Sequence, residues 1–412
     1  MRTIVVLAAI VLTSVVPVAC GGTAAEPTST PVATATATAI PTPTPAATPT
    51  QPPVMSATGQ LAFSGIPDGA SANGIYLVGS DGSGPDAAWT WDTDGSHAVY
   101  LVWSPDGQHL AFFGYDASVD RSGLYVLDTV QGSLTRPIEL DGTWLIWRPA
   151  VWSPDGSQLY VSMPRSPFGD GGIWAVPADG TADPTLVAAE PMMGNSLTIS
   201  PDGQYVAATI GGPPQLGVMS VGDSQMTVIV DDLLVTSAPA WSPDSRRIAF
   251  IAQPSGGGNH LYIVNADGTD LTQLSDVQPP NAVAFGFAAA DPVWSPDGQQ
   301  IAYIVRLAPT PTTEQMDVYV SAVDGSDTRN LSDDPESVDF GPSWSTDGSE
   351  VAFVSRSAAA WRDSANSSGD PESSVISVIM ADGSNPRTVI EGVEFQNYME
   401  LTGLPVWRPT GP

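Results

Sequence analysis

The side chains best suited to bond-making chemistry are few and widely spaced in this chain of 412 residues. It has one cysteine, Cys20, and three histidines, His97, His109 and His260, which the repeat pattern described below assigns to different repeats. All 13 basic residues are arginine. Without lysine there is neither a Walker phosphate loop nor a Schiff base to pyridoxal phosphate. The sequence contains no Gly-x-Ser-x-Gly elbow and no His-Glu-x-x-His pair, the signatures of a hydrolase nucleophile and a helical zinc site. One cysteine makes no disulfide within the chain, and scattered histidines lack zinc-ligand spacing. These residues predict no catalytic group, no metal and no cofactor, and they favour a binding module over an enzyme.

Recognition chemistry is better supplied. Arg121, Arg165, Arg306, Arg356 and Arg362 fall in one class of variable segment between apolar stretches, with Trp361 in the longest of them. Guanidinium forks bind carboxylate or phosphate, and an indole stacks on sugar rings or peptides. The six residues are candidates for an anionic glycan or peptide terminus; the structural alternative is a solvated loop surface. A formal charge of -31 opposes nucleic acid and anionic membrane surfaces as partners. Of the 44 carboxylates, eleven sit in turn motifs that account for them without a ligand.

The elements that must position these groups come from one repeat. Trp103-Ser104-Pro105-Asp106-Gly107 returns at Trp152, Ile199, Trp241, Trp294 and Trp344, at intervals of roughly 42 to 53 residues. Ser-Pro-Asp-Gly is a type I turn signal, with proline presetting φ and glycine favoured at the fourth position. An apolar strand follows, such as Ile248-Ala249-Phe250. An alternating strand and an Asp-Gly hairpin turn come next, as in Leu261-Tyr262-Ile263-Val264 before Asp267-Gly268. With a last short strand, each copy is a four-stranded antiparallel unit. Such a unit covers neither of its faces alone, whereas a ring of stacked units covers both. Trp103, Trp152, Trp241, Trp294, Trp344 and Trp407 are expected to pack between neighbours.

The chain ends complete the pattern. Gly59-Gln60-Leu61-Ala62-Phe63 reads as a second strand lacking its first, and Leu404-Pro405-Val406-Trp407-Arg408-Pro409 as a first strand with nothing after it. Joined, they add a unit, predicting an all-β, seven-bladed β-propeller closed by its C-terminal strand; a six-bladed ring is the alternative. The repeat Trp-Ser-Pro-Asp-Gly-x-x-Ile-Ala-Phe with its later Tyr-Val-x-x-Ala-Asp-Gly strand resembles the WD40-like (PD40) repeat of the TolB propeller, over about 350 residues. That blade also occurs in peptidases, lyases and binding proteins, so the resemblance speaks for fold more than for activity. Periplasmic TolB carries an α/β domain ahead of its propeller, where this chain has a Pro/Thr stretch. The implied function is a binding or scaffolding module for envelope proteins or glycans. The alternative is a propeller-type lyase or hydrolase acting on an anionic polymer.

The N-terminal region sets the expected compartment. An apolar run from Ile4 to Ala19 ends in Val18-Ala19-Cys20-Gly21-Gly22, which resembles the lipobox of bacterial lipoproteins, with Pro17 departing from the usual aliphatic residue. Residues 1–19 then form a signal peptide. Residues 20–56 hold the lipidated Cys20 and a Pro/Thr/Ala-rich linker, extending up to roughly 100 Å as polyproline II. The propeller occupies 57–412. The expected product is a monomer on the extracytoplasmic face, touching the membrane through its lipid alone.

Overall fold

The computed structural model describes residues 59–141, 150–166, 169–188, 197–223, 225–255, 257–274, 291–307, 315–358, 374–394 and 404–410. Cys20, the apolar leader, the Pro/Thr linker, Trp361 and Arg362 lie outside them. The described chain is all-β. Its alternating apolar stretches form antiparallel ladders because one or both faces of each strand are buried.

Strands β1 (Gln60–Gly65), β2 (Gly74–Gly79) and β3 (Asp86–Thr90) begin the first unit. The second is β4 (His97–Trp103), β5 (His109–Asp116), β6 (Arg121–Asp128) and β7 (Ser133–Asp141). The third is β8 (Val151–Trp152), β9 (Gln158–Ser166), β10 (Gly169–Pro177) and β11 (Thr185–Ala188). The fourth is β12 (Leu197–Ile199), β13 (Tyr205–Ile210), β14 (Gln215–Ser220) and β15 (Thr227–Val230). In the fifth, β16 (Leu234–Val235) and β17 (Ala240–Trp241) share the edge of β18 (Arg247–Gln253), followed by β19 (His260–Asn265) and β20 (Thr272–Gln273). The sixth is β21 (Val293–Trp294), β22 (Gln300–Leu307), β23 (Gln315–Ala322) and β24 (Thr328–Asn330). The seventh is β25 (Ser337–Trp344), β26 (Glu350–Ser357), β27 (Ser374–Met380) and β28 (Arg387–Val393). Last comes β29 (Val406–Trp407), which returns to the first unit as its inner strand.

That return closes the chain on itself. Leu61 pairs with Trp407 and Ala62 with Val406, while Arg408 N–H donates to the Gln60 carbonyl at 2.8 Å. The inner strands meet in the order β29, β4, β8, β12, β17, β21, β25 and again β29. This is the architecture of a β-propeller. Gly107 lies under the closing segment at φ 66°, and a Cβ there would stand 2.4 Å from the Pro409 carbonyl oxygen. Only glycine combines that backbone angle with so close an approach.

The six tryptophans are buried at the contacts between units. Apolar clusters span those contacts, joining for example Leu124 and Val126 to Trp152 and Leu159. A directional bond is superimposed on this packing. The indole N–H of Trp152 donates to the Val102 carbonyl, one residue before Trp103 of the preceding unit (3.1 Å). Trp294 does the same to Ala240 (2.9 Å), Trp344 to Val293 (3.0 Å), Trp407 to Ser343 (2.9 Å) and Trp103 to Val406 (3.1 Å). Trp241 faces the unit in which Ile199 replaces tryptophan, and its buried N–H has no hydrogen-bond partner.

Removing an indole N–H therefore costs unequally around the structure. Trp344→Phe removes the indole bond to the Val293 carbonyl, whereas Trp241→Phe removes a donor that bonds nothing. Trp344→Phe is expected to be the more destabilising by about 1 kcal/mol, the net worth of one hydrogen bond. Urea unfolding of the two variants beside the parent measures the difference.

Candidate functional site

Antiparallel pairing sends the connections of each unit to two opposite ends. The turns after the first and third strands share one end. The connections after the second and fourth share the other.

The first end is occupied by its own hydrogen bonds. In all six Ser-x-Asp turns the serine hydroxyl donates to the aspartate Oδ1 at 2.5–2.8 Å. The same hydroxyl accepts the backbone N–H five residues on, as Ser153 does from Gln158 at 3.0 Å. The aspartate in turn accepts the N–H two residues beyond it, as Asp155 does from Ser157. The Ser153 hydroxyl, then the Ser157 backbone N–H and hydroxyl, hold Asp155 at about 2. In the later hairpins Asp81, Asp179, Asp267, Asp324 and Asp382 accept the N–H two residues on and are held below the usual carboxylate range by those bonds. Eleven carboxylates are thus committed to turns.

The opposite end holds four of the five candidate arginines, in strands and not on loops as the sequence suggested; Arg362 lies outside the described residues. Arg121 opens β6, Arg165 lies in β9 opposite Asp170, Arg306 in β22 opposite Met316, and Arg356 in β26 opposite Val338. Apolar residues mark where a strand is buried, whereas backbone pairing continues into the polar residues beyond. Arg121 is ion-paired with Glu139, which Arg136 also engages. Arg356 is buried at 6% exposure, so it is not a solvent-facing cation. The histidines also differ from expectation. His97 and His109 belong to one unit, because β4 starts six residues ahead of Trp103, and they stand at its opposite ends. The His97 ring lies 5.7 Å from that of Tyr115, His109 sits near Asp106 and Asp128, and His260 bonds Gln273. Among the described residues no group of three or more His, Cys, Asp or Glu is placed to hold a metal.

A buried polar constellation at this end, among the described residues, involves two residues the sequence reading passed over. Asp317, next to Met316 in β23, is fully buried, and Asp339, next to Val338 in β25, is 1% exposed. Asn330 Nδ2 donates to Asp317 Oδ2 at 2.7 Å, and Gln315 Nε2 donates to the same oxygen at 3.1 Å. The Ser337 hydroxyl donates to Asp339 Oδ2 at 2.9 Å, whereas Oδ1 is buried without a partner. Burial raises Asp317, and Asp333 and Asp334 add to the rise against the opposing bonds from Asn330 and Gln315. Burial pushes Asp339 up to about 6, opposed by the hydroxyls of Ser355, Ser332 and Ser337 and assisted by the charge of Asp317. Strand alternation accounts for the missing cation: Arg306 shares a face with Met316 and Arg356 with Val338, opposite the faces carrying the two aspartates.

No family model matches the chain. A Tol-Pal system protein TolB of Francisella tularensis subsp. mediasiatica is 24% identical over 252 residues, 59% of this chain and 53% of that one. The β-propeller domain of the Trilobed protease from Pyrococcus furiosus superposes with a TM-score of 0.54 at 12% identity, over 82% of this chain and 96% of that one. An oligogalacturonate lyase solved in complex with manganese gives 0.52 at 17% identity, over 84% and 90%. The chain is a TolB-like β-propeller protein. It spans about half the length of the Francisella relative and smaller parts of the others first matched. In the Trilobed protease the propeller has an open velcro topology, whereas in this TolB-like propeller β29 is paired to β1. The signal that could have revealed Asp317 and Asp339 was a carboxylate inside an otherwise apolar alternation, as in Met316-Asp317-Val318 and Val338-Asp339-Phe340.

The turn chemistry of this TolB-like propeller fixes the acid side of its stability. A carboxylate depressed in the fold stabilises it above the unfolded value near 3.8, and that contribution is lost as pH falls through the folded value. Ser153→Ala lets Asp155 return toward 3.8. The variant is expected to be less stable than the parent at neutral pH, with the gap narrowing as pH falls from 4 toward 2. Thermal unfolding across that range checks it.

Proposed function

We propose that this protein is an extracytoplasmic binding or scaffolding module of the cell envelope, tethered through Cys20 and presenting the end of the propeller opposite the aspartate turns. The observation that carries this is the contrast between the two ends. At one, eleven carboxylates are consumed by two recurring kinds of turn. At the other, the connections differ from unit to unit, and the longest of those after a second strand, 358–373, contains Trp361 and Arg362. Variation on a rigid scaffold is how binding surfaces are built. The TolB likeness supports an envelope setting, and the leader ending at Cys20 supports lipid attachment, which stably anchors a protein when two or more chains are present. The seven four-stranded units are then the blades of one ring, closed by residues 406–408. The partner class is an envelope protein, or an anionic glycan or peptide.

A second reading, an enzyme acting on an anionic polymer, draws on the fold shared with the oligogalacturonate lyase and on two carboxylates and two arginines at one end. Turnover of polygalacturonate, with and without divalent cation, distinguishes it: product formation moves the assignment to the enzyme.

For the binding reading, fractionation of cells expressing the parent and Cys20→Ala is expected to put the parent in the membrane fraction and the variant in the soluble one. The soluble variant, used as bait on envelope extract, is expected to retain a partner that is lost when Trp361 and Arg362 are both replaced by alanine. Membrane retention of Cys20→Ala rejects the anchor, and unchanged capture by the double replacement rejects the face.

A further inference from the structure

The seam between the sixth and seventh units differs from the others in a way that binding alone does not require. Here β23 and β25 share a parallel backbone bridge, Met316 to Val338, which merges the two units into one continuous sheet. The residue after each bridging partner is a buried aspartate, Asp317 on one strand and Asp339 on the other. The polar groups around them are neutral or acidic. Gln315 and Asn330 bond Asp317, Val318 N–H bonds the Ser332 hydroxyl at 3.1 Å, and Ser337 bonds Asp339. Asp333, Asp334 and Glu336 lie on the segment joining β24 to β25. The nearest cations in sequence, Arg306 of β22 and Arg356 of β26, share faces with Met316 and Val338, opposite the faces that carry the two aspartates. A buried carboxylate without a cation is unfavourable when charged and acceptable when protonated. Two of them straddling one bridge are worse, because each charge disfavours the other.

We propose that this seam is a proton-operated latch, closed while the Asp317–Asp339 pair keeps a proton and loosened when both carboxylates are charged. The sign follows from linkage. Asp339 is raised in the fold, so the folded seam binds a proton that the opened seam releases, and its stability is lost as pH rises through about 6. The rise from 3.8 to about 6 corresponds to roughly a hundredfold change in the opening equilibrium. Mild acid therefore rigidifies this part of the binding end and neutral pH frees it. This device is independent of which ligand is bound.

Amide hydrogen exchange on the full chain at about pH 5 and pH 7.5, corrected for intrinsic rates, tests the latch. Residues 316–318 and 338–340 are expected to lose roughly tenfold in protection at the higher pH, the part of the full change that falls between these two values. Residues 102 and 151 at the Trp152 seam are expected to keep theirs. Asp339→Asn, neutral at both values, should hold the low-pH protection throughout. Asp317→Asn, which removes the neighbouring charge, should move the midpoint below that of the parent. Equal protection of the parent seam at both pH values overturns the proposal, and so does an undiminished pH dependence in Asp339→Asn. Should that variant fail to fold, the parent profile and the Asp317→Asn midpoint decide the matter: an unmoved midpoint rejects the coupled pair.

Discussion

The structure depends on one contact repeated between units: a buried indole laid against the preceding inner strand, its N–H on the carbonyl beside the neighbour's own tryptophan. Two quantities of different size meet there. Burying an aromatic side chain of about 150–250 Å² at about 25 cal/mol per Å² contributes about 4–6 kcal/mol, against about 1 kcal/mol net for the hydrogen bond. Packing therefore supplies the adhesion, and the bond supplies the alignment. Because the acceptor in these five bonds is the residue before the preceding unit's tryptophan, each unit sets the height of the one after it. The last tryptophan, Trp407, and the first, Trp103, belong to segments joined by the return of β29, so the alignment passes through the chain termini as through any other seam.

Arginine reinforces this arrangement where the sequence permits. Arg408 lies over the Trp103 ring at 5.2 Å and donates to the Gly107 carbonyl, and Arg247 lies over Trp294 at 5.1 Å and reaches the Gly298 carbonyl. The two come from different places in the repeat, yet both cross a seam to the next tryptophan and to the glycine of its turn. In a chain with 13 cations against 44 carboxylates, these guanidiniums are committed to the scaffold. That narrows the number left for recognition, and counting arginines by loop class overstated the cationic character of the end opposite the aspartate turns: Arg121 shares Glu139 with Arg136, and Arg356 is buried.

Much of the fold was legible because its determinants are local and repeated. Ser-Pro-Asp-Gly specifies a turn from four consecutive residues, and the structure forms the same hydroxyl–carboxylate–amide bonds in every copy, Ser245 in place of glycine included. The incomplete strands at the two ends were legible for the same reason, each matching half a known unit. What was not legible depends on registers between strands distant in sequence. The burial of Arg356 follows from its pairing with Val338, and the neighbourhood of Asp317 and Asp339 from a bridge between β23 and β25. Single aspartates in apolar strands carry no local mark of having a buried acidic neighbour. The histidines were misassigned because β4 extends well ahead of its tryptophan, a length set by the partner β5 and not by the motif.

The fourth unit shows how the repeat tolerates losing its principal residue. Ile199 donates nothing toward the third unit, and Trp241 finds no acceptor toward the fourth. At the seam between the fourth and fifth units three other contacts stand in. Asp202 N–H donates to the Ser245 hydroxyl at 3.0 Å, Thr209 donates to the Ser237 carbonyl at 3.2 Å, and the Tyr205 ring lies 6.2 Å from that of Trp241. Ser245 occupies the turn position that is glycine in the other five copies, and it takes the same left-handed conformation, φ 61°, at a cost glycine avoids. The departure from glycine is therefore connected to the departure from tryptophan. A hydroxyl at 245 is useful only across the seam where the indole bond is missing, and in a repeat array, where each unit contacts only its neighbours, such a repair needs to be made only there.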